Sequence, residues 1–229
     1  MKVQIVGAGS VGLLVASYFL ENGLDVVLVG RNTEQLEQLS SNGLTRINND
    51  ETSLNTRIKV SSTLITDADI TIVTTKSYQV QGLFVDLAKL SEKAALLFMQ
   101  NGLAHYEPAL TLPQQHIAFA SVQFGALRED FTTVRHTGVG IFKLAVAKGE
   151  LSVFSKLLRC NVHNFPIVVE EDAHAMLFEK ALLNCFVNPL TALLQVKNGV
   201  LIRNEKAFAL LQQLYEELKF AFSEEMTHF

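Results

Sequence analysis

The 229-residue sequence predicts a doubly wound α/β sheet followed by a mostly α-helical C-terminal region. Three observations carry that expectation. Short β-branched runs alternate with amphipathic stretches through the first half of the chain, and a glycine-rich turn joins the first run to the first stretch. From Asp172 onward the apolar spacing is helical almost to the end.

Lys2 to Val6 is the first strand, and beyond the turn Val11, Leu14, Val15, Tyr18 and Phe19 recur at helical spacing. Gly23 closes that helix, and Asp25 to Val29 reads as a fully buried strand of the kind found inside a parallel sheet. Further strands are expected near Ile58 to Ser61, Ile70 to Thr74 and Ala95 to Met99, with a helix from about Gln79 to Leu90. Between Ile117 and Val146, short runs around Gly125, Gly138 and Gly140 predict antiparallel strands that extend the sheet. Leu151 to Leu158 reads as helix and Val162 to Val169 as strand. A boundary near Val168 divides the chain into a nucleotide-binding domain over 1–168 and a helical domain over 169–229.

Composition narrows the function. Hydrophobic residues make up 48% of the chain, enough for a packed core, and a net charge of -4 argues against a broad nucleic-acid surface. No apolar run approaches the roughly eighteen residues that span a bilayer, and the N-terminus has no signal-peptide core, so the expected compartment is the cytoplasm. Cys160 and Cys185 lack CxxC spacing and read as reduced core thiols. His105, His116, His163, His174 and His228 share no metal-ligand spacing, and His136 reads as a satisfied structural residue, so no metal is expected.

The turn reads Gly7-Ala8-Gly9-Ser10-Val11-Gly12, a G-x-G-x-x-G in which the glycines permit tight turning, close approach of a pyrophosphate and close packing of helix on strand. With a strand before it and a helix after it, this points to a dinucleotide at the helix N-terminus and a Rossmann-type sheet. The second strand ends Val29-Gly30-Arg31-Asn32, without the carboxylate that would accept ribose hydroxyls. Arg31 suits a 2′-phosphate, which favours NADPH/NADP over NAD; the bland alternative is a solvated strand-end arginine. Farther on, Lys180, Asn184 and Asn188 recur at every fourth position in an apolar segment and share one side of a helix. By spacing alone that side is either an ordinary exposed face or a site, in which a partly desolvated lysine suits a general acid.

The sequence resembles the ketopantoate reductase family over nearly its whole length. The resemblance lies in the glycine turn, Thr75-Lys76, Gln100-Asn101-Gly102, His136-Thr137-Gly138 and above all Lys180-Ala181-Leu182-Leu183-Asn184 running into Asn188-Pro189-Leu190-Thr191-Ala192. It implies NADPH-dependent reduction of 2-dehydropantoate to pantoate, with Lys180 as proton donor and substrate contact. It also implies that Asn184, Asn188 and Asn198 hold the substrate, and that Lys76, Asn101 and the Ala126 backbone meet the cofactor. Taken singly, Lys76 is a strand-end lysine, Asn101-Gly102 a turn dipeptide and Ala126 a packing residue. A related NADP-dependent reductase of another branched 2-keto acid and a catalytically silent NADP-binding module remain open. The family's later helices supply a serine to the substrate and a glutamate near the cofactor, and this sequence reaches Phe229 before either. Its last helix, with Leu210, Leu211, Leu214, Leu218 and Phe222 on one stripe, is therefore expected to belong to a fragment or to be covered by a partner, a second copy included.

Overall fold

A computed structural model describes residues 1–222. The chain opens as β1 (Lys2–Val6), α1 (Ser10–Glu21), β2 (Asp25–Val29) and α2 (Thr33–Asn42), the last capped by the Asn32 side chain accepting from Gln35 N–H. Gly23, at φ 77°, ends the first helix as its sequence position foretells. There follow β3 (Leu44–Ile47), β4 (Ser53–Thr56), β5 (Lys59–Ser61) and β6 (Ile70–Val73). The single helix expected over Gln79 to Leu90 is instead two short pieces, α3 (Ser77–Val80) and α4 (Phe84–Leu87), joined by a 3-10 turn. Then come β7 (Ala95–Phe98), α5 (Tyr106–Leu110), β8 (His116–Val122), β9 (Gly125–Arg128), β10 (Thr133–Gly138) and β11 (Phe142–Lys148). Next are α6 (Ser155–Leu158) and β12 (Ile167–Val169), so the strand expected from Val162 is confined to its last residues, with Val162 and Phe165 in an isolated bridge. The chain continues as α7 (Ala173–Leu194), α8 (Val200–Arg203) and α9 (Glu205–Ala221).

Eight strands form the main sheet in the order β12-β11-β8-β7-β6-β1-β2-β5. The strands from β5 through β8 run parallel, and β11 turns back antiparallel on β8. Val6 pairs with both Val29 and Val73, so β1, β2 and β6 end level, the edge at which doubly wound sheets bind ligands. Val3, Ile5, Leu28, Ile70, Ile72 and Leu97 are wholly buried beneath α1 and form the core.

A second, four-stranded sheet has the order β4-β3-β10-β9. This corrects the expectation that every strand between Ile117 and Val146 extends the main sheet: β8 is flanked there by β7 and β11, so β10 pairs instead with β3, and β9 pairs with β10. Polar groups lock this sheet to α1. The buried Arg46 guanidinium lies 3.8 Å from the Tyr18 ring centre and pairs with Glu21 at 2.7 Å. The Tyr18 hydroxyl and His136 Nδ1 are 2.7 Å apart, and His136 Nε2 lies 3.0 Å from the Gly138 carbonyl. Since a carbonyl only accepts, Nε2 carries the proton and Nδ1 accepts from tyrosine. Burial lowers the His136 pKa, which favours the neutral ring.

Residues Met1–Leu177 form one compact unit and Phe178–Phe229 a second, with the division between them inside α7. Helix α7 is long and apolar enough by length and composition to cross a membrane, which corrects the expectation that no segment approaches that limit. His174, Glu179, Lys180, Asn184 and Asn188 nonetheless interrupt it. Within the second unit Phe186 and Tyr215 rings stand 5.7 Å apart and Phe178 and Phe222 rings 5.8 Å apart, while Phe208, Leu210 and Phe220 are exposed. Cys160 is buried, its thiol pushed up to about 11, but Cys185 is exposed and is no core thiol.

Candidate cofactor and substrate site

Gly7 leaves β1 at φ 120°, a conformation that L side chains rarely adopt, and its N–H donates to the Val29 carbonyl at 2.8 Å. Thr74, at the end of β6, donates its hydroxyl to the Gly7 carbonyl at 2.9 Å and so ties the turn to the neighbouring strand. A Cβ on Gly12 would stand 2.0 Å from the Gly7 carbonyl oxygen, so this glycine is dictated by helix packing. Gly9 differs: a Cβ there meets no protein atom within 4 Å. What its missing side chain leaves free is space for a ligand. The first bond of α1 runs from Leu13 N–H to the Gly9 carbonyl, and no side chain caps the helix, so the preceding amides face that space without intrahelical partners.

A cavity of about 680 Å³ opens over this turn. Gly7, Ala8, Gly9, Arg31 and Lys76 line it, as does Thr75, whose buried hydroxyl has no partner among the described residues. Lys89, another of its cations, pairs with Asp86, while Arg31, Lys76 and Arg128 form no ion pair among the described residues. An orphaned hydroxyl, an open glycine and surplus positive charge all suit an extended phosphorylated ligand.

The other expected cofactor residues lie outside the lining. Ser10, Val11 and Gly12 form the first turn of α1, Asn101 is exposed just after β7, and Ala126 packs half-buried on β9. Lys76 N–H donates to Gln79 Oε1 at 3.2 Å, and Gln100 donates to the Val73 and Thr75 carbonyls at 2.8 and 3.0 Å, fixing the end of β6. Sequence reasoning missed Gln35 and Arg128. The first is buried on α2 and donates to the Ala8 and Phe131 carbonyls, and the second donates to Ala8 from β9. No spacing marks either, because their partners are remote in sequence.

In the second unit α7 places Lys180, Asn184 and Asn188 on one side, with Lys180 and Asn184 half-buried and Asn188 exposed. Burial lowers the Lys180 pKa. Pro189 has no N–H for the Cys185 carbonyl, and Thr191 donates to the Val187 carbonyl at 2.8 Å as the helix continues past it. Asn198 is exposed in the connection to α8, where its carbonyl accepts from Leu201 N–H at 3.1 Å.

The glycine turn at the level ends of three parallel strands defines a dinucleotide-binding α/β protein. Comparison with known proteins narrows the class. Residues 3–149 match the family model "Ketopantoate reductase PanE/ApbA", and residues 172–228 match "Ketopantoate reductase PanE/ApbA C terminal". The chain belongs to the ketopantoate reductase family. It is 35% identical over 219 residues to the 2-dehydropantoate 2-reductase of Bacillus subtilis, covering 95% of this chain and 72% of the relative. The Listeria monocytogenes enzyme of the same name is 34% identical over 227 residues, covering 96% and 75%. A crystal structure of the probable 2-dehydropantoate 2-reductase panE from Bacillus subtilis superposes with a TM-score of 0.85 at 33% identity, over 96% of this chain and 75% of that one.

Proposed function

We propose that the chain reduces 2-dehydropantoate to pantoate with NADPH, the reductive step of pantothenate biosynthesis. The observation that carries this reading is its likeness, over 95% of its length, to a protein named for that reaction. Gly7, Ala8, Gly9, Ser10, Val11 and Gly12 would hold the pyrophosphate, Arg31 the 2′-phosphate, and Lys76, Asn101 and the Ala126 backbone the remainder of the cofactor. When bound, the nicotinamide supplies hydride to the keto carbon.

Lys180 holds a proton at Nζ and gives it to the substrate carbonyl oxygen, and its positive charge stabilises the charge that develops there. Its lowered pKa, caused by burial, makes that proton easier to release. Asn184, Asn188 and Asn198 orient the keto acid through their amides, which donate to carboxylate and accept from hydroxyl groups. The cytoplasm is the compartment we assign, and self-association through the exposed apolar residues of α9 is expected to appear as a concentration-dependent sedimentation coefficient. Consumption of NADPH absorbance with ketopantoate as acceptor, run beside an NADPH-binding titration, tests the reading. Turnover supports it. Binding without turnover of ketopantoate or other branched 2-keto acids would reduce it to a nucleotide-binding module.

A further inference from the structure

The second sheet reaches the cofactor cavity at one residue. Arg128, the last residue of β9, is exposed, lines the cavity and donates to the Ala8 carbonyl at 3.3 Å. That one bond leaves most of its five donors free. Its acidic neighbours are engaged elsewhere: Glu129 pairs with Arg135, and Asp130 accepts from Thr132 and Thr133.

The Ala8 carbonyl marks which end of the cavity Arg128 serves. Gln35, from the helix that follows Arg31, donates to the same oxygen at 3.0 Å. The Ala8 methyl would lie 3.5 Å from a Cβ on Gly30, the residue before Arg31. Arg128 is therefore held beside the β2–α2 connection that carries Arg31, at the ribose end of a dinucleotide seated on this turn. Charge favours a second cation there, because a phosphate monoester carries about -1.5 to -2 at neutral pH and Arg31 offset only part of it.

Resting on the reading that the cavity takes NADPH, we propose that Arg128 is a further cofactor-binding residue, which holds the 2′-phosphate together with Arg31 and helps set the preference for NADPH over NADH. The small second sheet thus contributes directly to cofactor choice. Calorimetric titration of the full chain with adenosine 2′,5′-bisphosphate and with 5′-AMP reads this without turnover. Arg128→Ala should weaken the bisphosphate about ten- to a hundredfold, as loss of a charge-assisted bond does, and change 5′-AMP by less than about twofold. The ratio of NADPH to NADH affinity should fall in the same proportion. Equal weakening of both nucleotides, or none in either, would overturn the assignment while leaving the cofactor reading in place. Failure of the unmodified chain to bind NADPH at all would remove that reading, and this inference with it.

Discussion

Burial holds the Lys180 ammonium below the ordinary lysine pKa, and a general acid works only while protonated. Turnover should therefore be lost as pH rises through that lowered value, on a limb absent from NADPH binding, and pH profiles of kcat and of the dissociation constant check it. Lys180→Ala is expected to lower kcat by about 10²- to 10⁴-fold, the usual worth of general-acid catalysis, and to shift NADPH affinity by less than about twofold. Equal losses in both would contradict the assigned role. A second titration belongs to folding. His105 is buried between Phe98 and Phe119 with neither ring nitrogen partnered among the described residues, and desolvation lowers its pKa to about 4. The unfolded chain takes up this proton near its ordinary 6.5 while the folded chain refuses it until about 4. Stability from this group is thus complete above about 6.5 and falls with pH across that window, by up to about 3 kcal/mol. His105→Phe should flatten that acid limb in urea titrations, and an unchanged slope would refute the account. Helical spacing aligned Lys180 with Asn184 and Asn188 but left an exposed face and a site both open, and the role proposed for Lys180 came from the family resemblance. Arg128 was not legible in sequence, since its partner Ala8 lies 120 positions away.

At the level of the glycine turn, two similar substitutions should part company. Gly12→Ala forces a methyl against the Gly7 carbonyl and is expected to destabilise the fold by about 1–3 kcal/mol, read as a lower melting temperature. Gly9→Ala meets no protein atom, so its melting curve should match that of the parent while NADPH affinity drops at least about tenfold. A Gly9→Ala chain that binds normally would show that the space above Gly9 is not where the pyrophosphate lies. The β1–α1–β2 unit could be read from sequence because its signals are local: continuous apolar strands, helical spacing and a glycine at each turn. The second sheet could not. Strands β3 and β4 are short and half polar, and β3 finds its parallel partner in β10 nearly ninety positions later, a pairing that no local period encodes. The β9–β10 hairpin was visible as strands, but which sheet it joins was decided by β11 taking the place beside β8.

The molecule divides into Met1–Leu177, with its own core and the whole of the cavity over the glycine turn, and Phe178–Phe229, with Lys180 and the three asparagines. A chain cut to residues 1–177 should therefore unfold cooperatively and bind NADPH yet turn over no keto acid, as circular dichroism, fluorescence titration and a kinetic assay would show. Loss of cooperative unfolding would mean that the first unit depends on the second for its fold. The break inside α7 was hidden from sequence because the helical period runs on across it. One feature of the first unit bears on how quickly it can work. Helix α1 is buried from Gly12 to Phe19, pinned on one flank by the main sheet and on the other by the Arg46–Tyr18–His136 interlock. Its amino end is thereby set in place when the chain folds, so an arriving nucleotide spends little of its binding energy on ordering the protein there. Capture should then be limited by collision rather than by rearrangement: a single fast phase, rising linearly with nucleotide concentration and slowing with added salt as charge steering is screened.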